Sequence, residues 1–170
     1  IASFCMVRNP VTWRWSHARH HTDTIIVGRD PEIAVPRPPN FLTIFLNLFA
    51  IRNGITAIGH ILLHAAGRIS KAEATFIPEM EHFRLFRTAR IWIAIHGAVI
   101  ATSIATGSIL PLMIVGLPTF YGGWLTIVFG LTQHAGLAED VPDHRLNSRT
   151  VYMNPVFRFL YWNMNYHIEH

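Results

Sequence analysis

The feature that most constrains the fold is a long stretch without a charged side chain in the second half of the chain. Residues 91–138 contain no Asp, Glu, Lys or Arg, and this is about twice the length of roughly 20 residues that a helix needs to cross a bilayer. Gly107 and Pro111 interrupt the stretch with residues that favour a turn. The pattern predicts a transmembrane helical hairpin with limbs at residues 91–108 and 110–131.

The composition and the placement of the basic residues agree with a membrane protein. Hydrophobic residues make up 51% of the chain and charged residues 14%, unlike an average soluble domain. The 14 basic residues are dispersed rather than gathered in a stripe, which argues against a nucleic-acid partner. Arginines flank the predicted hairpin on both outer sides, at Arg84, Arg87, Arg90, Arg145, Arg149 and Arg158. The positive-inside bias then places both outer ends in the cytoplasm.

Two clusters of closely spaced histidines border this apolar middle. An HxxHH pattern provides His17, His20 and His21, and a second cluster provides His167 and His170. Residues three or four apart share one face of a helix, and neutral imidazole is the commonest metal ligand in proteins. The single cysteine excludes a disulfide framework and a CxxC metal site within these residues. The clusters therefore predict a metal site held by nitrogen ligands.

A shared site for both clusters has a consequence for the segment between them. An even number of membrane crossings must separate the clusters, and the hairpin already supplies two. Residues 41–66 are apolar but carry Arg52, His60 and His64, and a charge at mid-bilayer costs roughly 2.5 to 3.5 kcal/mol. We therefore expect this segment to form one or two interfacial helices or a re-entrant pair, and not a single crossing.

The remaining histidines and one acidic residue allow more than one role. His60 and His64 are four residues apart, close enough on a helix to chelate a metal, although packing or interfacial hydrogen bonding is the expected role. The single histidines His82, His96 and His144 are expected to be structural. Glu169 lies inside the second cluster, where it either accepts a hydrogen bond from an imidazole N–H or is a solvated charge.

The chemistry of an all-histidine site leads to a family resemblance. Nitrogen ligation without thiolates suits iron that activates dioxygen, whereas the HExxH pattern of a zinc protease is absent from the sequence. The segments WRWSHARHHTDT and NMNYHIEH resemble the second and third histidine boxes of the membrane fatty acid desaturase and hydroxylase superfamily. QHAGLAEDVPDHRLNSRTV resembles the segment that precedes the third box in bacterial acyl desaturases.

This resemblance implies a fold and a set of ligands. It implies an all-α integral membrane protein in which a cytoplasmic helical cap carries the histidine boxes beside the transmembrane hairpin. Residues 1–170 then form a partial desaturase domain, an internal fragment with the first box expected before Ile1 and one more histidine after His170. His60 and His64 follow the second box, so they are not that first box. The implied ligands of a non-haem diiron centre are His17, His20, His21, His134, His167 and His170.

The resemblance also implies a reaction and its participants. The implied reaction is oxygen-dependent desaturation of a fatty acyl chain, with two iron ions, a membrane lipid or acyl substrate and dioxygen. Electrons would come from an external donor, either ferredoxin or a b-type cytochrome with its reductase. Two alternatives stay open from the sequence. One is a hydroxylase or ketolase of the same superfamily acting on alkane, carotenoid or sphingoid lipids; the other is a non-catalytic membrane protein that binds metal.

Overall fold

The computed structural model describes residues 2–33 and 40–169, and over these ranges the chain is helical. An isolated antiparallel bridge joins Thr150 to Tyr166. Two turns of 3-10 helix, Glu73–Thr75 and Glu79–Glu81, precede the longest helix. The α-helices in chain order are α1 (Ala2–Cys5), α2 (Pro10–Thr22), α3 (Phe41–Leu48), α4 (Ile51–Ala65), α5 (His82–Thr106), α6 (Leu110–Ile114), α7 (Pro118–Tyr121), α8 (Gly123–His134), α9 (His144–Asn147) and α10 (Pro155–Leu160).

Helix α2 carries the HxxHH pattern, and its start is fixed by a cap. The Asn9 side chain accepts a hydrogen bond from the backbone N–H of Val11, and Pro10 occupies the first helical position, where no N–H is needed. The amide nitrogen of Asn9 also donates to the carbonyl of Leu85 at 3.2 Å. The cap therefore sets the start of α2 and fixes this helix against α5.

Helix α5 supplies the first limb of the predicted hairpin. It begins at His82, earlier than the predicted residue 91, and ends where Gly107 adopts a left-handed conformation with φ of +59°. The segment Glu79–Thr106 is long and apolar enough to cross a membrane. Only 22% of its apolar window is buried inside the protein, whereas a core helix of a soluble domain would be mostly buried. The predicted first limb and its terminating turn are therefore present.

The second limb differs from its prediction. Residues 110–131 do not form one helix, because the chain breaks into α6, α7 and α8. Gly116 has a φ of +100°, a backbone conformation that residues other than glycine rarely adopt. Its N–H donates to the carbonyl of Cys5 at 2.7 Å. The longest piece, α8, has 12 residues, too few to cross a bilayer alone. In place of the predicted hairpin of two long helices, the structure has one long helix followed by three short ones.

The segment at residues 41–66 is bent, as its charges predicted. Helices α3 and α4 meet at an angle of 70°, and Ala50 between them adopts a left-handed conformation with φ of +50°. Helix α3 packs against α8, and α4 packs against α5. Residues 41–66 therefore form a bent pair of helices in place of one straight helix, and the pair has the length and composition of a broken span or a re-entrant loop.

The core lies between α2, α4 and α5. One cluster of buried side chains joins Val7, Ile61, Ala89 and Trp92, and a second joins Val11, Ile77 and Leu85. Packing at the adjoining α4 surface is close, since a Cβ added at Gly54 would lie 2.6 Å from the ring of Phe120. These contacts hold the histidine-bearing helix α2 against the arginine-bearing start of α5.

Candidate metal centre

Five of the six predicted ligands converge from three separate parts of the chain. His17, His20 and His21 lie in the last turns of α2, His134 ends α8, and His167 follows α10. The ring centroids of His20 and His134 are 5.3 Å apart, those of His134 and His167 are 4.7 Å apart, and those of His20 and His167 are 6.1 Å apart. The sixth predicted ligand, His170, lies outside the described residues.

Three of these histidines form a group with the spacing of a metal site. The candidate ligand atoms of His20, His134 and His167 all lie within 4.8 Å of one another. Ligand nitrogens about 2.1 Å from one ion lie at most about 4.2 Å apart, so small side-chain movements would bring the three onto a common ion. His20 and His167 are buried, with 6% and 8% of their surface exposed, so this group is largely shielded from solvent.

The other two histidines form a pair one helical turn apart. The Nε2 atoms of His17 and His21 are 3.2 Å apart, and their rings meet edge to face at 4.6 Å. Two nitrogens bound to one ion at about 2.1 Å, with an angle of about 100° between them, would have this separation. The pair is adjacent to the group of three, since the rings of His17 and His20 are 5.9 Å apart.

The outer nitrogen of these imidazoles is held by a second set of polar groups. His17 Nδ1 lies 2.9 Å from a carboxylate oxygen of Glu32, and His20 Nδ1 lies 2.9 Å from a carboxylate oxygen of Asp30. His134 Nδ1 donates to the carbonyl of Asn147 at 2.7 Å. Such partners favour the proton on Nδ1, so that Nε2 would be the atom to bind a metal.

The hydrogen bonding of His134 indicates whether these residues suit a metal. Its Nδ1 carries the proton donated to Asn147, so its Nε2 has a free lone pair. That Nε2 atom is buried and has no hydrogen-bond partner in the structure, an arrangement that is costly unless a ligand satisfies it. An ion bound beside His20 and His167 would supply the missing partner. The donor set therefore fits a metal.

The charges around the histidines also fit a cation. Burial lowers the pKa of His20, but the hydrogen bond and charge of Asp30 outweigh it, so the pKa of His20 is raised. Burial tends to raise the pKa of Asp30, but the contact with His20 outweighs it and holds that pKa below its usual value. Burial lowers the pKa of His134, which favours the neutral imidazole that a metal requires.

Comparison with known proteins identifies the family. The family described as fatty acid desaturase matches residues 1–170. The chain belongs to the fatty acid desaturase family. Neither the curated proteins nor the solved structures include a match. Membership makes the chain part of an oxidoreductase family that is membrane-associated and uses iron; closeness to bacterial acyl desaturases stays a prediction.

In this desaturase-family chain, a strained loop presents Asp30 to His20. Ile25 has a φ of +56°, which is unusual for a β-branched residue. Its N–H donates to Asp30 Oδ2 at 2.9 Å, and its carbonyl accepts from the N–H of Asp140 at 3.1 Å. The N–H of Glu32 donates to Asp30 Oδ1 at 2.8 Å. The Asp30 carboxylate is thus held by backbone donors on one side and faces His20 on the other.

A buried asparagine connects this loop to the end of α8. Asn147 is 1% exposed, and its side-chain amide donates to the carbonyls of Thr24 at 2.8 Å and Val141 at 3.1 Å. Its own carbonyl accepts the hydrogen bond from His134. Asn147 therefore couples the segment that follows α2 to the histidine that ends α8.

The sequence interpretation did not identify this second set of residues. Asp30 and Glu32 follow HxxHH closely in a chain with only 10 acidic residues, and that scarcity was the available signal. Glu169, for which two roles were open, is exposed and accepts a hydrogen bond from Thr150. Gln133, next to His134 in sequence, places its amide nitrogen 3.0 Å from His167 Nδ1, and no sequence pattern pointed to it.

A small cavity reaches the histidines from one side. Its volume is about 230 Å³. His21 and His167 line it together with Thr24, His144, Ser148 and Ile168.

Proposed function

We propose that this chain carries the metal centre of a membrane enzyme that desaturates fatty acyl chains with dioxygen at a pair of histidine-bound iron ions. The observation that supports this most strongly is the convergence of five histidines from α2, α8 and the C-terminal turn. These segments are far apart in sequence, and packing alone does not require five imidazoles at one place. Family membership supplies the reaction class.

The two groups of histidines suggest how two ions would be held. His20, His134 and His167 would bind one ion, and the His17–His21 pair would bind the other. His170 would add a ligand from outside the described residues. When bound and reduced, the irons would supply activation of dioxygen and removal of hydrogen from a methylene group.

The protein groups around the site would hold it in one arrangement. Asp30 and Glu32 would orient the imidazoles of α2 and balance part of the positive charge of the ions. Burial of His20 and His167 would limit the access of water. The cavity of about 230 Å³ beside His21 and His167 would admit dioxygen and the reacting part of the acyl chain.

The same packing supports a cytoplasmic position for the histidines. The start of α2 is bound to Leu85, beside Arg84 and Arg87, and the positive-inside bias favours the cytoplasm for this end of α5. A groove of about 420 Å³ lies here, lined by three arginines, by one acidic residue and by apolar side chains that include Phe4; the charged residues are Arg14, Arg84, Arg87 and Glu81. We propose that an acidic electron carrier, of the ferredoxin or b-type cytochrome kind, docks at this groove.

The test is product analysis with the complete gene product in membranes supplied with iron, an electron donor and dioxygen. New double bonds in the membrane acyl chains are expected, together with donor-dependent oxygen consumption. His134→Ala should abolish both, because it removes a ligand, whereas His82→Gln changes a histidine outside the cluster and should retain both. New hydroxyl groups in place of double bonds would favour the hydroxylase alternative. Iron binding without oxygen consumption would refute the enzyme and favour the metal-binding alternative.

A further inference from the structure

A second group of potential metal ligands lies on other elements of the fold. His60 and His64 are one turn apart on α4, and Glu73 begins the 3-10 turn that follows. His60 Nδ1 lies 2.8 Å from Glu73 Oε1, and His64 Nε2 lies 3.1 Å from Glu73 Oε2. One carboxylate thus faces both imidazoles, each through a different oxygen.

Most of this group is buried, and part of it lacks a hydrogen-bond partner. The side chains of His64 and Glu73 are 0% and 5% exposed, whereas that of His60 is 38% exposed. Glu73 Oε1 is buried and pairs with His60 Nδ1. The second nitrogen of the buried His64, Nδ1, has no hydrogen-bond partner among the residues that the structure describes, which is costly for a buried polar atom. The group therefore combines a buried carboxylate that faces two imidazoles with a buried imidazole nitrogen that is not satisfied.

Hydrogen bonds within the local turn reach only one of the two carboxylate oxygens of Glu73. Ser70 and Glu73 cap the 3-10 turn reciprocally, since the Ser70 hydroxyl donates to Glu73 Oε2 at 2.7 Å and the Glu73 N–H donates to the Ser70 hydroxyl at 3.2 Å. This capping accounts for Oε2 and fixes the orientation of the carboxylate. It does not account for Oε1, which points to His60.

We propose that His60, His64 and Glu73 bind a divalent metal ion of the zinc class, separate from the proposed iron centre. Two imidazole nitrogens and one carboxylate oxygen are a donor set of zinc sites that keep a fourth position for water. Because the His60 side chain is 38% exposed, water would reach that fourth position from the side of His60. One candidate ligand atom from each of the three residues lies within 4.8 Å of the others, and ligands about 2.0 to 2.1 Å from a tetrahedral ion lie about 3.3 Å apart, so small side-chain movements would bring the three onto a common ion.

The ion would have a structural role. Ile61, between the two histidines, belongs to the core cluster with Ala89 and Trp92. An ion held by α4 and by the 3-10 turn would therefore stabilise the packing of α4 on α5. It would also balance the buried negative charge of Glu73.

The experiment is a zinc titration of the purified metal-free protein, with bound zinc measured by equilibrium dialysis and elemental analysis. His60→Gln is the informative variant, because His60 is half-exposed and its replacement leaves the buried His64 and Glu73 in place. His82→Gln is the matched control, a histidine outside both clusters. Thermal unfolding with and without zinc provides a second measurement on the same variants.

We expect His60→Gln to bind one zinc ion fewer than the wild type, or to bind it more than about 100-fold more weakly, since even outer partners of a ligand contribute about 10- to 100-fold. His82→Gln should match the wild type. The part of the zinc-dependent rise in Tm that this site supplies should be lost in His60→Gln and retained in His82→Gln. Equal zinc stoichiometry and affinity in His60→Gln and the wild type would overturn the proposal. The outcome does not depend on whether the enzyme desaturates.

Discussion

Replacing Asp30 by Asn tests whether the second set of polar groups positions the metal ligands. The Asp30 side chain is 0% exposed and accepts three hydrogen bonds, from His20 Nδ1 at 2.9 Å, from Ile25 N at 2.9 Å and from Glu32 N at 2.8 Å. The first two donors share Oδ2, and the third uses Oδ1. The side-chain oxygen of an asparagine can accept from His20 Nδ1 and Ile25 N. Its NH₂ group then faces the N–H of Glu32, and two donors cannot bond to each other.

The expected cost follows from these contacts. One buried donor loses its acceptor, which costs about 1 to 3 kcal/mol, and removal of the buried charge offsets part of that cost. We expect Asp30→Asn to lower the free energy of unfolding by about 1 to 2 kcal/mol. Iron affinity should fall by about 10- to 100-fold, because a neutral amide holds the N–H of His20 more weakly than a carboxylate does and no longer balances the charge of the ion that His20 would bind. Asp30→Ala would leave three donors without a partner and is expected to disorder the loop.

The assay is iron retention against a competing chelator, with thermal unfolding of the same detergent-solubilised samples. Asp23→Asn is the matched control, since Asp23 is similarly buried but pairs with Arg19 and Arg29. The control should lose stability and keep its iron affinity. If Asp30→Asn and Asp23→Asn retained iron equally well, the argument that Asp30 positions a metal ligand would be refuted.

Three further predictions concern other parts of the chain. Asn147→Ala should destabilise the protein by about 2 to 4 kcal/mol, because the buried amide donates two hydrogen bonds; a change in Tm below that of an exposed substitution such as His144→Ala would contradict this. In the metal-free protein, burial of Glu73 favours its neutral form, but contacts with His64, Ser70 and His60 outweigh burial and lower its pKa from 4.5 to about 2. Its contribution to stability is then fully present above about pH 4.5 and lost as the pH falls toward 2, so Glu73→Gln should flatten the pH dependence of Tm in that range. Arg84→Glu with Arg87→Glu should raise the KM for an acidic electron donor with little change in kcat, and an unchanged KM would exclude the groove as its docking site.

Patterns that are local in the sequence were predicted well. The turn at Gly107 follows from the freedom of glycine to adopt a positive φ, and the bend at residues 41–66 follows from polar groups in an apolar segment. The breaks after α6 and α7 were not predicted. The first of them contains Gly116, whose N–H donates to the carbonyl of Cys5, far away in the chain, and hydrophobicity does not report such a contact.

The residues of the candidate site also fall into two groups, those that the sequence predicted and those that it did not. The sequence identified His17, His20, His21 and His167 by the spacing of their clusters and His134 by its place in the family resemblance, and the structure brings these five together. It did not identify Asp30 and Glu32, since a carboxylate in a loop gives no sign of its partner until the loop is folded.

The sequence by itself determined the residue types that are able to bind a metal, the apolar length that makes α5 long enough to cross a membrane, and membership of the desaturase family. These properties belong to short windows and to ordered motifs along the chain. Only the tertiary structure decided which imidazole nitrogens face one another and which carboxylate holds each outer nitrogen. It also separated His60 and His64 from the main cluster, by pairing them with Glu73. Hydrogen bonds depend on a few tenths of an ångström and on direction, and these are fixed only when distant segments pack.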